Sequence, residues 1–238
     1  MKLDILVIAA HPDDAELCCG GTILVHLAAG RTVGIVDLTR GELGTRGTAA
    51  IRLQESEAAS KILGIHVREN LGFRDGFFLN DEAHQLKVVE MIRKYQPEIV
   101  LTNAVGDRHP DHGKGSALVS QACFLAGLRR IETTCDGASQ GAWRPKAVYH
   151  FIQDYYIKPD LVVDISSVVE RKMQALRAYK SQFHDPLSTE PATVLTSPDF
   201  MERNRARARE YAKAGDMEFG EGFTVERMIG VKDLFDLI

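Results

Sequence analysis

Apolar positions along the chain alternate between two rhythms: short continuous runs, and longer stretches with apolar residues every three or four positions. Residues 3–10 (LDILVIAA) form the first run, broken by one aspartate, and read as a strand covered on both faces. Residues 15–29 follow with helical spacing and end at Gly30, a residue suited to a helix C-terminus. The alternation repeats with a strand at 32–38, a helix at 49–63 ending before Gly64, and a strand at 65–70. Asn80 or Asp81 caps a helix that runs to Gln96, where Pro97 stops it. A fourth strand is expected at 98–104 and an apolar helix from about 113 to 126. A loop of small and polar residues at 133–145 precedes strands at 147–153 and 161–165. Ser167 with Glu170 makes a capping-box pattern for a helix through Ser181. Strand and helix in alternation predict an α/β fold, a Rossmann-like three-layer domain with a mostly parallel sheet. A helix at 198–214 and the tail 221–238 are expected as a C-terminal helical and strand appendage. No repeat or linker interrupts the pattern, so 1–238 reads as a single domain.

The composition is that of a globular chain: 238 residues, 45% hydrophobic and 26% charged, enough to bury a full core. The formal net charge is −4, and basic residues cluster only at 203–209 (RNRARAR), which reads as a solvated helix face. That balance argues against a nucleic-acid partner. The opening apolar stretch is too short for a membrane span or a signal peptide, which predicts a cytoplasmic protein without a membrane partner. Four cysteines, with Cys18 and Cys19 adjacent, do not form a disulfide framework and read as buried thiols.

In an open parallel sheet, ligands bind beyond the carboxyl ends of the strands. Two similar clusters fall there. The stretch AHPDDAE (10–16) follows the first strand and carries His11, Asp13 and Asp14; GDRHPDHGKG (106–115) follows the fourth and carries His109, Asp111 and His112. Adjacent carboxylates repel unless positive charge sits among them. A catalytic metal with three protein ligands and an open position fits this composition. His11 and Asp14, from one tight turn, can bite a cation, and His112 from the distant loop completes the set. Pro12 disfavours helix at His11 and helps to pin the turn. Asp13 is left uncommitted, placed to take a proton from a water whose pKa the metal lowers. His109 is the candidate to polarise or protonate substrate, with Asp111 to orient its imidazole. Two histidines and a carboxylate suit Zn2+, and Fe2+ satisfies the same pattern. The plainer alternative is a solvated turn; a lone His-Pro-Asp-Asp is usually that, and the second cluster brings the metal reading level with it. Gly20–Gly21 lack phosphate-loop spacing and read as close helix packing. His26, His66, His84 and His150 have no carboxylate at ligand spacing and read as structural or exposed.

These two clusters, with LTRGELGTRGT and IRLQE between residues 38 and 55, resemble the LmbE-like, or PIG-L type, zinc-dependent N-acetylglucosaminyl deacetylases. DYYIKPDLVVDIS (154–166), YKSQFH (179–184) and the stretches EGF and IGVKDLFDLI in 221–238 are similar to the bacillithiol-biosynthesis branch, which removes acetyl from N-acetylglucosaminyl L-malate. The likeness runs in order along nearly the whole chain. It implies His11, Asp14 and His112 as zinc ligands and Asp13 as general base. It gives His109, supported by Asp111, the task of steadying the tetrahedral oxyanion or protonating the leaving amine. It implies Arg52 for an anionic aglycone, Asp75 for sugar hydroxyls and Arg108 for the malate end, a guanidinium fork being matched to carboxylates. The plain alternative for Arg52 is a helix-surface ion pair with Glu55. A small-molecule N-acetylglucosaminyl substrate and a homo-oligomer, a hexamer, are implied in the same way. The segment 185–199, with Pro186, Pro191 and Pro198, departs from that pattern and is expected as a mobile flap over the site. Another acetylated sugar or thiol conjugate is the nearest alternative substrate. A non-catalytic sugar-binding module is the alternative of a different class, against which the spare acid and base argue.

Overall fold

The computed structural model describes residues 1–213 and 215–237. In chain order the elements are β1 (Ile5–Ala9), α1 (Asp14–Ala28), β2 (Val33–Thr39), α2 (Ala49–Leu63), β3 (Val67–Phe73), α3 (Glu82–Tyr95), β4 (Ile99–Thr102) and α4 (Pro110–Ala126). They continue with the short hairpin β5 (Thr134–Cys135) and β6 (Ala138–Ser139), then β7 (Ala147–Phe151), β8 (Leu161–Asp164), α5 (Val169–Arg177), α6 (Phe200–Ala212), β9 (Gly220–Val225) and a 3-10 turn at Leu234–Leu237. Seven strands form one sheet in the order β3-β2-β1-β4-β7-β9-β8. Only β9 runs against the others, pairing antiparallel with both β7 and β8.

The sequence of β1, ILVIA, is buried throughout because helices cover both faces of the sheet. Its alternate residues serve separate cores. Ile5, Val7 and Ala9 pack with Leu17 and Ile23 of α1, Ala59 of α2 and Met173 and Leu176 of α5. Leu6 and Ile8 pack with Val88 and Ile92 of α3 and with Leu118 and Ala122 of α4. This is the expected three-layer α/β architecture. The C-terminal helix and strand are integral to it: β9 inserts into the sheet, and the Glu221 carboxylate accepts hydrogen bonds from the Gly21 and Thr22 amides of α1 at 2.9 and 2.6 Å. Gly21 is packed as its sequence implied, since a Cβ there would lie 2.7 Å from the Ile165 side chain.

Local differences from the sequence expectation have plain causes. The fourth helix begins at Pro110 rather than near 113, because proline suits a first helical position and the His109 Nδ1 caps the turn by accepting from the Asp111 N–H at 3.2 Å. The capping box at Ser167 does not form. Val168 precedes the helix instead, and the Ser166 hydroxyl accepts from the Glu218 and Phe219 amides. The loop at 133–145 contains the β5–β6 hairpin. Two histidines read as lacking carboxylate partners have them: His84 Nδ1 lies 2.6 Å from Asp81, and His150 Nε2 lies 3.0 Å from Glu226. Cys18, Cys19 and Cys123 are buried free thiols, and Cys135 is half-buried. No helix among the described residues is long and apolar enough to cross a membrane.

The chain moves from β1 outward to β2 and β3, then returns to place β4 on the other side of β1. The loops after β1 and β4 therefore diverge from neighbouring strand ends and leave a crevice between them. Both His-Pro-Asp clusters lie on those loops.

Candidate active site

The β1 loop turns sharply. Asp13 sits at φ 114°, a left-handed conformation that costs a non-glycine residue roughly 1–3 kcal/mol. The turn brings the Asp14 carboxylate back onto the His11 N–H at 3.0 Å and starts α1 at Asp14. Asp14 is then held from three sides. One oxygen also accepts from Asn103 Nδ2 at 3.0 Å, and the other accepts from Gln153 Nε2 at 3.0 Å. Asn103 is fixed in turn, its Oδ1 accepting from the Ala10 N–H at 2.8 Å and its amide donating to Gln153 at 2.9 Å.

Asp14 lies between two imidazoles, 3.5 Å from His11 Nδ1 and 3.3 Å from His112 Nε2. Each ring has a carboxylate on its far nitrogen. His112 Nδ1 is 2.5 Å from Asp107, whose other oxygen accepts from the Asp154 and Tyr155 amides. His11 Nε2 is 3.0 Å from Asp75 and 3.4 Å from Asp111. Carboxylates in that outer position fix the tautomer of metal-binding histidines and raise their basicity. Burial opposes ionisation of Asp14, yet His112 and His11 hold its carboxyl well below the usual range. The donor chemistry of His11, Asp14 and His112 fits a divalent cation. His11, His109 and His112 also offer nitrogens within 4.8 Å of one another, as do atoms of His11, Asp75 and Asp111. His109, however, takes the Asp111 N–H on Nδ1, which leaves its proton on Nε2 and makes that atom a donor rather than a ligand.

Asp13 is buried beside this group and faces Arg52, whose Nη2 is 3.2 Å from its carboxylate and also donates to the Pro12 carbonyl. Burial pushes the Asp13 carboxyl up to about 7, against the opposing pull of Arg52. Burial also lowers the His109 pKa, reinforced by the charges of His11 and His112, so this imidazole stays neutral. The His109 ring stacks on His112 with centroids 5.0 Å apart.

Among the remaining predicted residues, Asp111, Asp75 and Arg52 meet protein partners other than those expected. The Asp111 carboxylate is directed away from His109; at the second turn position of α4 it reaches the Gly76 N–H at 2.7 Å, Lys114 Nζ at 2.8 Å and His11. Its backbone, not its side chain, orients His109. Asp75 has one oxygen on His11 and the other on the Leu43 N–H at 3.0 Å, so it supports the histidine instead of standing free for sugar hydroxyls. Arg52 is buried against Asp13, while Glu55 accepts from the Ser181 backbone and hydroxyl. Arg108 is exposed at the rim, 3.2 Å from Asp154. The segment 185–199 does wall the site, through Thr193, Val194 and Leu195, and Glu190 ties it to Arg46 at 3.2 Å. All of this surrounds a cavity of about 530 Å3.

Sequence reasoning missed Asn103, Asp107 and Gln153. Their one signal was position: polar residues just beyond the carboxyl ends of β4 and β7, where a buried side chain needs a partner. It also read 203–209 as solvated, whereas Arg203, Asn204 and Arg207 line the cavity.

Residues 6–123 match the family described as PIG-L, GlcNAc-PI de-N-acetylase. The chain is 33% identical over 189 residues to the diacetylchitobiose deacetylase of Thermococcus kodakarensis, covering 75% of this chain and 70% of that protein. This chain belongs to the PIG-L family. The PIG-L protein is also 29% identical over 192 residues to a probable N-acetyl-alpha-D-glucosaminyl L-malate deacetylase 2 of Bacillus anthracis, across 75% of this chain and 81% of that one. Its fold matches the crystal structure of a conserved Thermus thermophilus protein with a TM-score of 0.85 and 34% identity, over 97% of this chain and 98% of that chain. The matched family region contains both His-Pro-Asp clusters, and with them His11, Asp14, His109 and His112.

Proposed function

We propose that this PIG-L protein is a zinc-dependent N-deacetylase that hydrolyses the acetamide of N-acetylglucosaminyl L-malate to glucosaminyl malate and acetate, a step of bacillithiol biosynthesis. The observation that carries the reading is a buried carboxylate, Asp13, and a neutral imidazole, His109, flanking a His–Asp–His donor set in one cavity. His11, Asp14 and His112 would hold the zinc. When bound there, the cation supplies Lewis-acid polarisation of the amide carbonyl and acidifies the attacking water.

The protein's own groups supply the rest. Asp13 accepts the proton of the water as it attacks the acetamide carbon. Arg52 keeps that carboxylate oriented and balances its charge while it waits unprotonated. The Nε2–H of His109 donates a hydrogen bond to the developing oxyanion, and the proton that Asp13 took from the water passes to the leaving amine as the C–N bond breaks, returning Asp13 to its carboxylate. Asp75, Asp107 and Asp111 fix the donor rings, so the geometry exists before substrate enters. Of the arginines along the cavity wall, Arg46, Arg108 and Arg203 pair with Glu190, Asp154 and Asp199, and Arg207 supplies the positive charge that supports an anionic aglycone, the malate conjugate, over a neutral disaccharide.

Acetate release from N-acetylglucosaminyl L-malate, diacetylchitobiose and free N-acetylglucosamine, compared as kcat/KM, tests the reading. It predicts the malate conjugate as the preferred substrate. Faster cleavage of diacetylchitobiose would overturn the substrate assignment, and no acetate from any of them would overturn the activity.

A further inference from the structure

Five arginines line the cavity, and four are already engaged. Arg46 pairs with Glu190, Arg52 with Asp13, Arg108 with Asp154 and Arg203 with Asp199. Arg207 differs. It is half-buried on the cavity wall, and among the described residues no carboxylate or hydrogen-bond acceptor meets its guanidinium. The residues of α6 that face the cavity are Phe200, Arg203, Asn204 and Arg207, the i, i+3, i+4, i+7 positions of one helical face. That face is fixed against α1, since Asn204 Nδ2 donates to the Leu17 carbonyl at 3.3 Å. Arg207 therefore sits on a rigid element rather than a loose loop.

A guanidinium partly withdrawn from water and left without an anion is unfavourable unless something else supplies one. The α6 face lines the cavity beside Leu17 and Cys18, which stand three and four residues along α1 from Asp14. At 1.5 Å per residue that is about 5 Å from the Asp14 end of the helix, close to the span of one sugar ring. A glucosamine unit with its acetamide between Asp13 and His109 would carry its aglycone onto this wall.

We infer that Arg207 is the carboxylate-recognition subsite for the aglycone, and that this α6 face sets the preference for anionic over neutral N-acetylglucosaminides. The inference rests on the deacetylase reading and replaces Arg52, which Asp13 and the Pro12 carbonyl already occupy, as the main aglycone contact. A guanidinium fork accepts both oxygens of one carboxylate, so lysine is an incomplete substitute.

The test compares wild type, Arg207→Ala, Arg207→Lys and the control Arg209→Ala, whose side chain pairs with Glu218. Substrates are N-acetylglucosaminyl L-malate and the neutral methyl glycoside of N-acetylglucosamine. Arg207→Ala should raise KM for the malate conjugate about 10- to 100-fold, the range for losing a charge-assisted hydrogen-bonded contact, with kcat changed much less. Its effect on the neutral glycoside should be under about 3-fold, and Arg207→Lys should fall between alanine and wild type. Equal losses on both substrates, or none on the malate conjugate, would overturn the subsite while leaving the deacetylase standing. Should wild type release no acetate from either substrate, the activity fails separately. Calorimetric binding of L-malate then still decides the subsite: lost in Arg207→Ala it stands, and unchanged it falls.

Discussion

Asn103 offers the sharpest test of how the site is built. Its side chain makes three buried hydrogen bonds, from the Ala10 N–H at 2.8 Å, to Asp14 at 3.0 Å and to Gln153 at 2.9 Å. Asn103→Ala removes all three. Gln153 Oε1 keeps the Ala104 N–H at 3.2 Å, so its loss is small. The Ala10 N–H is left buried without an acceptor, which costs roughly 1–3 kcal/mol, and the bond to ionised Asp14 was contributing roughly 1.5–3 kcal/mol. Together the variant should lose about 3–5 kcal/mol, less where a water enters the gap. That is a large share of a typical folding stability of about 5–15 kcal/mol. The variant should also bind zinc about 10- to 100-fold more weakly, as loss of an outer partner of a metal ligand generally does. Urea unfolding of the chelator-stripped protein measures the first quantity, and competition with a chromogenic chelator measures the second. Gln153→Leu, which frees the other Asp14 oxygen, provides a second variant should Asn103→Ala fold poorly. Unfolding within about 1 kcal/mol of wild type together with unchanged zinc affinity would refute the idea that these amides hold Asp14.

Three further outcomes follow from single contacts. Gly21→Ala pushes a methyl to within 2.7 Å of Ile165 and should lower stability by roughly 1–3 kcal/mol, seen as a reduced Tm with little change in KM. Glu226 is held below its ordinary value of 4.5 by His150, so its pairing stabilises the fold above that value and the benefit fades as pH falls through the folded pKa. Glu226→Gln should therefore lower stability modestly near neutral pH, because the carboxylate is part-exposed, and change little well below pH 4.5, so the acid limb of the stability-versus-pH curve flattens. His109→Ala should keep its zinc and lose roughly 100- to 1,000-fold in kcat, the range for an oxyanion donor. Metal loss in that variant would make His109 a ligand.

Much of this molecule was legible in its sequence. Continuous apolar runs such as ILVIA marked strands covered on both faces, and glycine and proline punctuated the helices between them. The second helix was read to the residue because Gly64 ends it in a left-handed turn. The two His-Pro-Asp clusters were legible as one site because α/β topology brings the ends of neighbouring parallel strands together. What was hidden depends on contacts between residues distant in the chain. The insertion of β9 between β7 and β8 has no local signature, since an antiparallel strand looks the same at an edge or inside. The roles of Asp75, Asp111 and Arg52 turned on which neighbour each side chain reaches, and residue type alone could not choose between a substrate hydroxyl and a histidine nitrogen. Arg207 escaped notice because alternating arginines on a helix resemble a solvated face until one side of that helix is seen to wall a cavity.

The central claim is that Asp13 is a proton acceptor beside a cation held by other residues. Acetate release by Asp13→Asn from N-acetylglucosaminyl L-malate, normalised to the zinc bound per chain, tests it most directly. The account predicts wild-type zinc content with kcat lower by about 100- to 10,000-fold, the range for removing a general base. Turnover within tenfold of wild type at full zinc occupancy, or a variant that no longer holds zinc, would contradict it.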